Sequence, residues 1–259
     1  MKRLLTACLA AALAPALASA APADDASAAA RKLAAAANYG WTRTTEIPNS
    51  QFPAMPVEGQ TEKSGYTVTT VTFNENSFKT ISKDGRSVSQ GQDGRWLTAE
   101  ERREQFAAKG GGGGGGTKGG TGRGGGRGGF GFLGGGSQLT PAEEVVALAA
   151  RIKDAKLVDG AIVGNLSPED VAARLTFGGR GGRGGDAGQT PPAAKNASGS
   201  VKFWLKDGAI ARYVVTVKGT IAIPNGEERD VERTTTTEIK NIGSTKVTVP
   251  DEAKNKLGV

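Results

Sequence analysis

Polar and apolar residues alternate over short runs in two separate stretches of the chain. Near the C-terminal end, Val201, Phe203 and Leu205 alternate with Lys202, Trp204 and Lys206. Tyr213, Val215 and Val217 repeat the pattern after Asp207-Gly208, and residues 230–239 follow with four consecutive threonines at 234–237. Period-two alternation and β-branched content predict half-buried antiparallel strands. Closer to the N-terminus, residues 40–47, 57–63, 65–73, 78–83 and 86–90 read the same way. Asp84-Gly85 and Asp93-Gly94 separate such runs, as Asn225-Gly226 does later, and these pairs favour tight hairpins. A last strand is predicted over 246–249, with Pro250 opening a terminal helix.

Helices announce themselves by their starts. An alanine-rich helix is predicted over 25–37. Thr98-Ala99-Glu100-Glu101 and Thr140-Pro141-Ala142-Glu143 are capping boxes, in which hydroxyl and carboxylate satisfy free amide donors. The second has proline at its first helical position, and Val145, Val146, Leu148, Ala149 and Ile152 then recur with helical spacing. A short strand at 161–163 precedes Ser167-Pro168-Glu169-Asp170, a third start, with Val171, Ala172 and Leu175 as its apolar face. The order is helix, meander, helices, meander. Consecutive hairpins exclude a parallel α/β sheet and predict an α+β fold: a curved antiparallel sheet, or half-barrel, with helices covering one face.

Two glycine-rich tracts, 109–137 and 178–198, interrupt this pattern. Such segments bury too little apolar surface to offset their ordering entropy and are expected to be flexible. None of the three patterned parts has enough elements to close a core alone. Residues 21–259 are therefore expected to form a single domain with two insertions.

The first 20 residues change the picture of where the protein works. Lys2 and Arg3, a short apolar run and Ala18-Ser19-Ala20 are the parts of a secretory signal peptide. The run is shorter than the ~20 residues a bilayer span needs. Leu5-Thr6-Ala7-Cys8 resembles an acylation box, but processing there would leave too short a leader, so cleavage after Ala20 is expected. The single cysteine, Cys8, then departs with the signal, and the mature protein, periplasmic or secreted, has neither thiol nor disulfide.

The formal net charge of +7 is also redistributed by this reading. Two cations belong to the signal, four to the first tract and a net two to the second, which leaves −1 for the folded body. The basicity belongs to the tracts. Arg123, Arg127, Arg180 and Arg183 stand in Arg-Gly-Gly repeats, with Phe130 and Phe132 near the first two. Arginine spaced by glycine suits sequence-tolerant contact with anionic polymers; the plainer reading is a soluble linker, and export favours it.

Catalytic chemistry is sparse. The chain has no histidine, which removes Ser-His-Asp and Cys-His sites and the usual zinc sites. No calcium-loop spacing, phosphate loop or nucleophile elbow occurs, and no cofactor is expected. The pairs Glu100/Glu101, Glu143/Glu144 and Glu227/Glu228 are read as helix-start charges or solvated turns. Trp41, Trp96, Trp204 and Tyr213 either fill a core or line a ligand cavity, and the core is the commoner use.

Three stretches carry a resemblance to a known superfamily: Asp93-Gly94-Arg95-Trp96-Leu97; residues 158–167, leading into a helix; and 201–207, followed by strands that close in Thr245-Lys246-Val247-Thr248-Val249-Pro250. In its order of elements the chain resembles the LolA and LppX/LprG superfamily of bacterial lipoprotein-handling proteins. It also resembles exported bacterial proteins with a Trp-Thr-x-Thr-Thr-Glu-Ile start, here at 41–47. The superfamily resemblance implies an incomplete barrel whose covering helices enclose an apolar cavity for acyl chains. The implied activity is non-enzymatic binding or carriage of a hydrophobic or lipid ligand. The alternative is an envelope or extracellular interaction module whose Arg-Gly-Gly tracts contact anionic polymers. No individual site residue is carried over from the superfamily. The intact mass of the exported protein is expected to start at Ala21, with no thiol titratable by Ellman's reagent; a mass beginning at or before Cys8 would overturn this.

Overall fold

Three hairpins close on aspartate-glycine pairs whose backbones both take the left-handed conformation: Asp84-Gly85 (φ 50° and 75°), Asp159-Gly160 (49° and 75°) and Asp207-Gly208 (51° and 72°). Two successive residues at positive φ give the turn whose twist matches that of the flanking strands. In this computed structural model, the described residues are 21–48, 50, 53–73, 76–91, 93–108, 139–177, 194–222 and 227–259. Residues 1–20, all of the first tract and most of the second lie outside them.

The elements run α1 (Pro22–Ala34), β1 (Asn38–Glu46), β2 (Val57–Glu62), β3 (Thr67–Phe73), β4 (Asn76–Lys83), β5 (Arg86–Gln90), β6 (Trp96–Thr98) and α2 (Ala99–Ala108). After the first tract come α3 (Pro141–Ala149), β7 (Lys153–Val158), β8 (Ala161–Leu166) and α4 (Pro168–Phe177). After the second come β9 (Lys195–Lys206), β10 (Ala209–Ala222), β11 (Glu228–Lys240) and α5 (Asp251–Leu257). The strands form one open eleven-stranded sheet in the order β6-β5-β4-β3-β2-β1-β11-β10-β9-β8-β7. Neighbouring strands are antiparallel throughout, so the fold is the α+β half-barrel expected from the hairpins. Its two meanders join where β1 pairs with β11, with Trp41 opposite Ile239 and Arg43 opposite Thr237.

Three details depart from the sequence pattern. β7 lacks alternation, carries a register irregularity between Lys153 and Lys156, and exists because β8 gives it a ladder partner. β9 begins four residues inside the predicted second tract, where Lys195 pairs with Thr220 and Ser198 with Lys218 on the long β10. The predicted strand over 246–249 has no ladder partner and does not form; Val249 packs against a core instead.

Period-two geometry divides the buried residues between opposite faces of the sheet. On the inner face, Tyr39 and Trp41 of β1, Val201 and Phe203 of β9, and Tyr213, Val215 and Val217 of β10 are buried. Against them lie Ala26, Ala29, Ala30 and Leu33 of α1, Val145 and Leu148 of α3, and Val171 and Leu175 of α4. The alanines let α1 approach closely. The outer face is covered at the other end of the sheet. Register places Ile81 and Val88 opposite one another and on the reverse side from Thr80 and Ser89, and there they meet Ala253 and Leu257 of α5. Burial of a leucine such as Leu257 contributes ~1.5–3 kcal/mol. Arg86 also donates to the Leu257 carbonyl (2.9 Å), and an ion pair joins Glu101 of α2 to Lys256.

One glycine is required by packing. The Trp41 indole lies flat over Gly59 of β2, and a Cβ at 59 would stand 1.9 Å from Trp41 Cε2. Gly59→Ala is expected to cost about 1–3 kcal/mol as overpacking, read as a lower Tm and an altered near-UV signal from Trp41. An unchanged Tm would show that the indole is not held there.

Candidate functional site

β1 sends Tyr39, Trp41 and Arg43 to the inner face at alternate positions, facing the start of α3. That helix begins with the predicted capping box. Thr140 Oγ1 accepts from the Glu143 amide (3.3 Å), and Glu143 Oε2 accepts from the Thr140 amide (2.8 Å). The next residue, Glu144, is turned inward and is only 4% exposed. This corrects the reading of the Glu143/Glu144 pair: Glu143 is a helix-start charge, and Glu144 is the centre of a buried polar cluster.

Glu144 Oε2 meets Arg43 Nη2 at 2.5 Å, and Oε1 meets Arg174 Nη1 of α4 at 3.0 Å. The Tyr213 hydroxyl donates to Glu144 Oε2 (2.7 Å) and accepts from Arg43 Nη2 (3.1 Å). Arg43 Nε donates to Thr237 Oγ1 (3.2 Å), and its guanidinium lies 5.4 Å from the Trp41 ring centroid. Burial would raise the Glu144 pKa, but Arg43, the Tyr213 hydroxyl and Arg174 outweigh it and hold the carboxyl below its ordinary value. Burial and the adjacent carboxylate push the Tyr213 hydroxyl up. At neutral pH the carboxyl is an anion saturated by donors and the phenol is protonated. Neither is a poised base, so the cluster serves to anchor helices and compensate charge.

The polar belt continues across the face. The Trp41 indole donates to Thr61 Oγ1 (3.2 Å), Thr67 Oγ1 donates to the same atom (3.3 Å), and Tyr39 accepts from the Ala142 amide (3.2 Å). Arg233 of β11 lies on this face as well. Its Nη2 donates to the Arg174 carbonyl (3.5 Å), and its Nε is buried without a hydrogen-bond partner. α1 and α4 lie over β7–β10, α3 lies on α1, and α3 reaches β1 through Glu144. Beyond them, the same face of β2–β4 presents Val57, Thr69, Val71 and Thr80, all half-buried.

The structure separates the aromatic residues singled out in the sequence. Trp41 and Tyr213 are buried under the helices, and Trp96 belongs to the outer-face core with α5. Trp204 lies on the outer face, half-buried, with the Arg212 guanidinium 4.9 Å from its ring centroid. Arg123, Arg127, Arg180 and Arg183 lie outside the described residues. Among the described residues, no group of three His, Cys, Asp or Glu side chains is placed to hold a metal ion, and no helix is long and apolar enough to cross a membrane. The sequence reading missed Glu144, Arg174 and Arg233. One signal for Glu144 was available: it stands one helical turn before Leu148, on the apolar side of a helix already capped by Glu143.

No protein-family model matches the chain, and no curated protein matches it. Among solved structures it is similar to LprF from Mycobacterium bovis, with 9% identity, a TM-score of 0.44, and 90% of this chain and 97% of that one covered. It is similar to the LolA superfamily protein NE2245 from Nitrosomonas europaea (6%, 0.30, 89% and 96%). An outer membrane lipoprotein-sorting protein domain from Vibrio parahaemolyticus is a third (11%, 0.30, 91% and 99%). One structure bearing the name of the superfamily that the sequence resembles thus stands among its neighbours. At these TM-scores they carry no argument about ligand or activity, which rest on the geometry above.

Glu144→Gln would leave the Arg43 guanidinium, and the half-buried Arg174 beside it, without a counter-charge, at a cost of about 3–5 kcal/mol. A carboxyl whose pKa is depressed by folding contributes stability that is present above its unfolded value, ~4.3, and is lost as pH falls through the folded one. The wild type should therefore lose stability on acidification below about pH 4 more steeply than the variant, as chemical denaturation across pH would show. Equal stability at pH 7 would remove the cluster from this role.

Proposed function

We propose that the mature chain is an exported, non-catalytic protein that binds or carries a hydrophobic ligand on the inner face of its half-barrel. One observation supports this above the others. The inner row is fully covered at Trp41 and Tyr213 but only half-buried at Val57 and Val71, where the same sheet extends past the helices. A concave, partly covered apolar surface with few polar groups suits a small hydrophobic molecule. The lack of histidine and the saturated state of Glu144 fit binding better than turnover. The two tracts are read as insertions in a single folded unit, and the signal sequence as its route of export.

Native mass spectrometry of the purified full chain should show a bound species that organic extraction removes. Val71→Arg should reduce its occupancy severalfold without unfolding the protein. A ligand-free protein that binds heparin, and loses this when residues 109–137 and 178–193 are deleted, would move the function to the arginine-glycine tracts.

A further inference from the structure

The charges beneath the helices do not balance. Among the described residues, Arg43 and Arg174 occupy both oxygens of Glu144, and Arg233, bonded to the Arg174 carbonyl, has no ion pair. Arg233 stands on the same face of β11 as Thr237, opposite Val217 of β10. Its acidic neighbours in sequence sit on the other side of the strand and are engaged there. Glu232 pairs with Lys218 at 3.0 Å, and Asp230 accepts from Thr220 at 2.7 Å.

Helix α4 presses hard against the sheet beside Arg233. A Cβ at Gly219 would meet Leu175 Cδ1 at 2.6 Å, and one at Gly199 would meet Val171 Cγ2 at 2.7 Å. The helix is thereby held close to β9 and β10, with Arg233 at its flank and one long bond to a carbonyl near its C-terminal end. Burial first, and then repulsion from Arg174, lowers the Arg233 pKa. A half-buried guanidinium whose buried Nε is idle destabilises the empty protein unless an anion completes it. Apolar Val231 and Ile221 lie on the same face and pack against the core.

We infer that Arg233, with Arg174, binds an oxyanion of carboxylate or phosphate type between α4 and β11. Arginine forks match such groups in geometry as well as in charge. Taken with the hydrophobic reading of the inner face, on which this step rests, the ligand is an anionic amphiphile with its head at Arg233.

Calorimetric titration of the full chain and of Arg233→Met with decanoate, decanol and inorganic phosphate separates the possibilities. The wild type should bind decanoate, and Arg233→Met should weaken it about ten- to a hundredfold while leaving decanol unchanged. The ligand-free variant should melt no lower than the wild type. Arg233→Lys, which keeps the charge and loses the fork, should fall between the two. Arg233-dependent binding of phosphate without binding of either ten-carbon probe would support the oxyanion site and remove the hydrophobic reading. Decanoate binding that is indifferent to Arg233, with a lower Tm in Arg233→Met, would overturn the proposal and leave Arg233 as a cap on α4.

Discussion

Glu144 keeps its charge in an interior where a lone carboxylate would take up a proton, because two guanidinium groups and a phenol surround it. Its partners come from β1, α4 and β10, and it is itself on α3. One side chain thus joins elements more than a hundred residues apart in sequence. Without it, α3 would keep one bond to Tyr39 and α4 one long bond to Arg233, and the rest would be apolar packing, which tolerates sliding. Directional hydrogen bonds do not. The register of the helices over Arg43 and Tyr213 therefore depends on this carboxylate, and with it the extent of inner face left uncovered.

That extent matters because the sheet is buttressed from both sides at different ends. α1 and α4 press directly on the inner face of β7–β10, with α3 stacked on α1, while α5 presses on the outer face of β4–β6. Of the strands between these two supports, β2 and β3 are held by the ladder and by α5 behind their neighbours. Their inner side stays accessible with no loss of order. A surface that is rigid yet incompletely covered can receive an apolar ligand without first unfolding anything, which lowers the conformational cost of binding.

Charge follows the same division of labour. The net positive charge of the chain is carried by its first 20 residues and its glycine-rich tracts, and the remainder is nearly neutral. Within that neutral body, however, two arginines share one glutamate, and a third, Arg233, lies against the backbone of Arg174. A local excess of this kind, placed where water is scarce, acts more strongly on a nearby anion than surface lysines do. It is invisible in the overall balance.

Much of the fold was legible because its determinants are local. Asp84-Gly85 and Asp207-Gly208 specify tight turns through their own backbone preferences, and Thr140 with Glu143 specifies a helix start through bonds three residues apart. Hairpins and caps together imply the α+β order. The absence of imidazole follows from residue identity alone, and the expectation of export from the first 20 residues. What no local pattern holds is the choice of partner. β7 is a strand only because β8 stands beside it, 246–249 is none because nothing pairs with it, and Lys195 extends β9 because β10 is long. Glu144 looked like one more helix-start charge, and Arg233 like a polar residue in a threonine-rich strand. Only the tertiary structure set one among arginines and left the other without an acid, because burial and pairing depend on residues that are distant in sequence.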